Sequence, residues 1–203
     1  MATDIKQLLS NLEKFYDFTG KTILSVGAGG GQLIEYGRNT KQVFAVDNDL
    51  FALEQLQERM EMAGLKKQFT LIYSDFFSVE LHADVVFFEF SLHEMPDHQA
   101  AIEHALSLAS EVLIADHWPS SEWAYIVNET EKVANAWDAI NMFPAKEIAK
   151  HDALQVFSFY DELFKKVGPQ GQASIQRIEK FIGKSNFSIP MWYGLAQISK
   201  CQL

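Results

Sequence analysis

The chain predicts an α/β fold on a mostly parallel sheet, and three observations carry that prediction. Short apolar or β-branched runs at 22–26, 43–47, 69–73, 84–90 and 112–115 alternate with helical patterns. Such alternation is what βαβ units show, each helix carrying the chain back over the sheet. The runs are also apolar nearly throughout, as strands buried on both faces are. Finally, the first run leads into Gly27-Ala28-Gly29-Gly30-Gly31, and the second closes on Asp47, twenty residues after Gly27. A glycine turn lets backbone N–H groups crowd against a ligand. A carboxylate ending the next strand can accept hydrogen bonds from a ribose diol. Together they read as a nucleotide-shaped ligand lying across the carboxyl ends of two parallel strands.

The elements follow in order. Residues 3–18 place Ile5, Leu8, Leu9, Leu12 and Phe15 or Tyr16 at helical spacing, with Thr3 or Asp4 as the cap. A short helix is expected around 31–38. After the second strand, Asp49 caps a helix whose stripe is Leu53, Leu56, Met60 and Ala63, stopped by Gly64. The third strand runs straight into Ser74-Asp75-Phe76-Phe77. The fourth is interrupted only by Glu89, and Pro96-Asp97 opens a helix carrying Ile102, Ala105, Leu106 and Ala109. The fifth ends at Asp116-His117-Trp118-Pro119. From there the rhythm changes. One long helix is expected from Ser120 or Ser121 to Asn141, then a helix capped by Asp152 and stopped by Gly168-Pro169. Runs at 175–183 and 189–199, with a turn over 184–188, read as an antiparallel hairpin. No linker or repeat divides the chain, so one domain over 1–203 is expected, with a helical lid-like insertion at about 118–150.

Composition narrows the partners. A hydrophobic content of 48% over 203 residues suits one sizeable core. No apolar run approaches the roughly 20 residues that span a bilayer, and the N-terminal segment is amphipathic rather than signal-like. The sole cysteine, Cys201, excludes an intrachain disulfide, and a cytoplasmic location is expected. With 17 basic and 27 acidic residues the net charge is −10, and Lys66-Lys67 and Lys165-Lys166 are isolated pairs rather than a patch. Such a surface repels phosphate backbones and anionic lipid. Neither a nucleic-acid nor a membrane partner is expected.

The dinucleotide fingerprint needs Gly or Ala at position 32, where this chain has Gln32; the spacing here is G-x-G-x-G. That loop resembles the first motif of class I S-adenosylmethionine-dependent methyltransferases. The resemblance covers about 20–117 by motif, and 153–199 by element order. It implies a Rossmann-like fold with a mostly parallel seven-stranded sheet, a C-terminal antiparallel hairpin and helices on both faces. It implies S-adenosylmethionine as cofactor, with Gly27, Gly29 and Gly31 around the methionyl part. Asp47 would hold the ribose hydroxyls, Asn48 would lie along the adenine, Asp75 would meet its amino group, and Phe76 would flank the ring. The family usually carries an acid two residues before the first glycine, where this chain has Ser25; Ser25 and Glu89 complete the expected cofactor set. Without the resemblance, 47–49 is a helix cap and 74–75 a turn.

The segment Glu89-Phe90-Ser91-Leu92-His93-Glu94-Met95-Pro96-Asp97 is similar to one found in the small-molecule and ubiquinone-type branch. The implied reaction is methyl transfer to a soluble small-molecule acceptor. His93, after the fourth strand, is the expected general base or acceptor-positioning group, and His117, after the fifth, the second candidate. An aromatic, acid-rich pocket would suit a cationic or aromatic acceptor. No metal is expected. His93, Glu94 and His98 resemble a zincin helix, but the second histidine is one residue too far and Pro96 intervenes. Asp116-His117 has no second acid nearby to make an oxygen-ligated site. Two other functions fit the glycine loop and Asp47: a non-catalytic S-adenosylmethionine- or nucleotide-binding protein, and a nicotinamide-dependent oxidoreductase, which Gln32 disfavours.

Overall fold

The computed structural model describes residues 5–200. The caps expected at Thr3 or Asp4, and Cys201, lie outside them. Helix α1 (Ile5–Phe15) leads into β1 (Thr22–Val26), and a short 3-10 turn, Ile34–Asn39, precedes β2 (Gln42–Asp47). Then come α2 (Leu50–Ala63), β3 (Phe69–Tyr73), β4 (Val85–Glu89), α3 (His98–Leu108) and β5 (Glu111–His117). The second half holds α4 (Glu122–Ile126), α5 (Thr130–Ile140), β6 (Ala145–His151), β7 (Leu154–Phe159), α6 (Tyr160–Val167) and α7 (Gln172–Ile178). It ends in β8 (Ser185–Pro190) and β9 (Tyr193–Ser199).

The main sheet has seven strands in the order β3-β2-β1-β4-β5-β9-β6. β1 to β5 are parallel, while β9 runs antiparallel to both β5 and β6. Successive residues of the central strands feed opposite sides. Ile23, Val85 and Phe87 join a core with α1 and α2, whereas Leu24, Val86 and Phe88 join one with α3 and α5. This double burial is why the strands read as continuous apolar runs rather than alternating ones. The chain winds outward in both directions from β1 and β4. The crevice at their carboxyl ends is therefore the topological switch point, where open α/β sheets bind ligands.

In the first half, caps formed where the sequence placed them, whereas Asp152 caps no helix because a strand follows it, and Ser121 opens α4 without a side-chain cap bond. Asp49 accepts from the Phe51 backbone N–H at 2.9 Å, Gly64 ends α2 at φ +70°, and Asp97 accepts from Ala100 at 2.9 Å. The second half departs from expectation. Asn128, at φ +67°, breaks the long helix into α4 and α5, and helix stops at Ile140, so 145–151 is an edge strand. Lys146, Glu147 and Lys150 give that edge the charges that discourage further pairing. Residues 154–159 are a strand: Gln155 and Phe157 are buried at period two, and β7 pairs with β8 in a separate two-stranded sheet. The run 175–183 is helical, because Ser174, Ile178 and Phe181 bury one face at helical spacing. The C-terminal antiparallel pair of the main sheet is thus built from 145–151 and 193–199. Among the described residues no helix is long and apolar enough to cross a membrane.

Candidate active site

The glycine loop leaves β1 directly into the crevice. Gly27, Gly29 and Gly31 take φ of +66°, +51° and +69°. At Gly27 a Cβ would lie 2.2 Å from the Ser91 Cβ, so the loop can pass the end of β4 only without a side chain. Gly31 points away from the crevice, where a Cβ would meet Leu56 Cδ1 at 2.6 Å. Asp47 secures the loop from the neighbouring strand. Its Oδ2 accepts from the Gly29 N–H at 3.0 Å and its Oδ1 from the Asp49 N–H at 2.9 Å.

Two cavities flank this loop and share Gly27 and Phe90 in their walls. One, of about 270 Å³, brings together Asp47, Asn48, Asp75, Phe76 and Glu94. The other, of about 240 Å³, is lined by Gly29, Glu89, His117, Trp123, Gln155 and Lys166, among others. Phe90, between them, holds φ +53°, a left-handed conformation uncommon for a bulky residue. Its ring packs 5.1 Å from that of His117.

Glu89 ends β4 at this divide. Ser25, on β1 across the seam from Phe87, donates its hydroxyl to Glu89 Oε1, and Tyr36 donates to the same oxygen at 2.7 Å. Burial pushes the Glu89 carboxyl up to about 7; the two hydroxyls oppose that rise and the Asp47 charge adds to it. Glu89 thus sets a carboxylate beside the glycine loop, in the cavity wall that Gly27 and Gly29 share.

Two imidazoles stand at the ends of β4 and β5, their rings 5.5 Å apart. Asp116, fully buried, ties the two together. It accepts from the backbone N–H of His93 at 3.0 Å and of His117 at 2.7 Å, and its Oδ1 lies 2.5 Å from His93 Nδ1. The remaining nitrogen of His93 faces Glu94 Oε1 at 3.4 Å and Glu129 Oε2 at 3.7 Å. Burial alone would hold His93 down, but its bonds to Asp116 and Glu94 and the surrounding carboxylates raise it to about 10. Glu94 is lowered to about 2 by His93 and Lys132, against its partial burial. His117 moves the other way. Burial pushes it down to about 4, the charge on His93 adding to the effect and that on Asp116 opposing it. At neutral pH His117 is thus uncharged, and its Nδ1 is buried without a hydrogen-bond partner among the described residues.

No family model and no curated protein matches the chain. Solved structures do. The YcgJ protein of Bacillus subtilis superposes with a TM-score of 0.73, at 14% identity, over 98% of this chain and 100% of that one. A putative methyltransferase of Bacillus halodurans gives 0.70 at 15%, over 96% and 99%. The magnesium protoporphyrin IX methyltransferase of Synechocystis, solved with bound S-adenosylhomocysteine, gives 0.60 at 13%, over 97% and 81%. The chain has the class I methyltransferase fold.

Against that fold, the sequence-chosen residues fall into groups. Asp47, Asn48, Asp75 and Phe76 share one cavity, and Gly27, Gly29, Glu89 and His117 the other. Ser25 is buried beneath Glu89, Gly31 packs on α2, and His93 lies behind His117, lining neither cavity. The helix-cap and turn readings also hold in part, since Asp75 accepts from the Phe77 N–H at 2.8 Å. Of the second-half aromatics, Trp123 reaches the cavity, Trp137 is core and Tyr125 is exposed. Sequence reasoning did not find Tyr36, Glu129, Gln155 or Lys166. Glu129 is brought in by the Asn128 turn, and Lys166 by the unexpected β7–α6 arrangement, so neither carries a local signal.

Proposed function

We propose that the chain binds S-adenosylmethionine across the two cavities and transfers its methyl group to a small-molecule acceptor. The observation that carries this reading is the division of the crevice at Gly27 and Phe90. Asp47 and Asp75 lie on one side, Glu89 and His117 on the other. The first cavity suits an adenosine: Asp47 accepts from the ribose hydroxyls, Asp75 from the adenine amino group, and Asn48 and Phe76 flank the ring. The second suits the amino-acid end, with Glu89 meeting the ammonium and the backbone of Gly27 and Gly29 closing over it. When bound, the cofactor supplies an electrophilic methyl on its sulfonium. The chain's own task is to place an acceptor against it and keep water out.

His117 is the histidine that meets the acceptor, being the one in the cavity wall. His93 is a positioning group rather than a base in this reading, because Asp116 and the carboxylates at its other nitrogen occupy it. Ile5, Leu8, Leu33, Trp123 and Met191 give the acceptor space an apolar body, and Lys166 and Gln155 give it a polar end. Lys166 favours an acceptor carrying an anionic or hydrogen-bond-accepting group, and of the cationic or aromatic acceptors expected from an aromatic, acid-rich pocket it disfavours the cationic. A thermal-shift series tests the reading. S-Adenosylhomocysteine at about a hundred times its Kd should stabilise the protein by about 2.7 kcal/mol, and NAD should not. Stabilisation by NAD alone would contradict it.

A further inference from the structure

Three side chains of metal-ligating type, each from a different part of the chain, converge behind the wall of the second cavity, which His117 alone of the three lines. His93 comes from the turn after β4, His117 from the end of β5, and Glu129 from the loop before α5. One donor atom of each lies within 4.8 Å of the other two. The gap of 3.7 Å between His93 Nε2 and Glu129 Oε2 is too long for a hydrogen bond. It is close to the roughly 3.4 Å that separates two ligands held about 2.1 Å from one tetrahedral ion. Behind them, Asp116 lies 2.5 Å from His93 Nδ1 and accepts the backbone N–H of both histidines. A carboxylate on the far nitrogen is the arrangement that orients a ligating imidazole and fixes its tautomer. His117 Nδ1 is buried without a hydrogen-bond partner among the described residues, which is costly for a polar atom unless something else satisfies it.

We propose that His93, His117 and Glu129 form a binding site for one divalent transition-metal ion. Two imidazoles and one carboxylate suit Zn²⁺, Co²⁺ or Fe²⁺, whereas Mg²⁺ and Ca²⁺ prefer oxygen alone. Three protein ligands leave a position open, as at catalytic zinc sites. Glu94, held by Lys132 at 2.6 Å, sets a further carboxylate oxygen 3.4 Å from His93 Nε2 and is the protein's own competitor for that position.

The site stands without the methyl-transfer reading; only its role there rests on it. Of the three ligands only His117 lines the glycine-loop cavity, so an acceptor's alcohol, phenol or thiol would have to approach the ion from the His117 side. The ion would ease loss of that group's proton to solvent. In that transfer the sulfonium carbon–sulfur bond would break as the carbon–heteroatom bond formed, with the electron pair of the broken bond staying on sulfur. His117 acts as a ligand in this form and takes no proton.

The test is a titration of chelator-treated full-length protein with Co²⁺, followed by visible absorption, and with Zn²⁺, followed by calorimetry. One equivalent should bind, giving a d–d spectrum that Zn²⁺ abolishes. Asp116→Asn should weaken affinity by about 10–100-fold, the range for groups that orient ligands. Glu129→Gln and His117→Gln should weaken it by more. Circular dichroism melts show that each variant is folded, and the wild-type titration does not depend on them. Absence of stoichiometric uptake by folded wild type would overturn the site and leave His93 as a buried cation among carboxylates. So would uptake that both ligand variants leave unchanged. S-Adenosylhomocysteine titrated into the same metal-free protein reports the nucleotide site separately, so either idea can fail alone.

Discussion

Replacing Glu89 by Gln should stabilise the free protein, and by an amount that depends on pH. The carboxyl has an ordinary value of 4.5 and is raised to about 7 in the fold, mainly by burial. Below pH 4.5 it is protonated in both the folded and unfolded chain, and ionisation costs nothing. As pH rises toward 7 the unfolded chain ionises first, so stability falls; above 7 the loss is complete. The interval between 4.5 and about 7 corresponds to about 3 kcal/mol, at about 1.4 kcal/mol per decade. Glutamine imitates the protonated carboxyl and still accepts from Ser25 and Tyr36. Urea unfolding of wild type and Glu89→Gln should therefore differ by under about 1 kcal/mol near pH 5 and by about 3 kcal/mol near pH 8, with the variant the more stable. A group kept at such a cost to the free fold is expected where a ligand later uses its charge. A stability gap equal at both pH values, or a variant less stable near pH 8, would refute the reasoning.

Further outcomes follow from the same geometry. Gly27→Ala combines a left-handed backbone, costing about 1–2 kcal/mol, with the collision against Ser91; urea unfolding should show a loss above about 2 kcal/mol, and a loss below about 0.5 kcal/mol would contradict the steric argument. Asp116→Ala leaves His93 and two backbone N–H groups without their acceptor. It should cost about 3–5 kcal/mol by the same assay, the range for breaking a buried pair, and a near-neutral effect would remove Asp116 from its organising role. A gel-shift titration with DNA and RNA at low salt should show no complex tighter than about 10⁻⁶ M, given the net charge of −10; a tighter one would point to a nucleic-acid acceptor.

The first half of this chain is legible because local chemistry and tertiary burial agree there. Apolar runs buried on both faces, Asp49 and Asp97 as caps, and alternating glycines each declare their element within a few residues. Asp47, Asp75 and Glu89 could be found because strand ends are readable and parallel βαβ winding brings them to one edge. In the second half the pattern is ambiguous. Residues 154–159 bury only every other side chain, yet lead without a break into α6, so strand and helix fuse into one apparent helical stripe. The 175–183 run does place Ile175, Ile178, Phe181 and Ile182 at helical spacing, but it is short and its place before the last strand suggests a hairpin arm. Residues 145–151 have too few buried positions to announce a strand. The pairing of His93 with His117 was half visible, from strand ends alone. Asp116 adjoins His117 in sequence, but its pairing with His93 and the approach of Glu129 are distances in space. No local spacing encodes those.

The most direct measurement is calorimetry of S-adenosylhomocysteine with wild type and with Asp47→Ala. Asp47 is the acid placed to meet the ribose, and it also ties down Gly29 at 3.0 Å. Saturable binding by wild type is expected, weakened by about 1.5–3 kcal/mol in the variant, the scale of a lost charge-assisted hydrogen bond. No binding by wild type, or equal affinity in a folded Asp47→Ala protein, would contradict the proposed cofactor site.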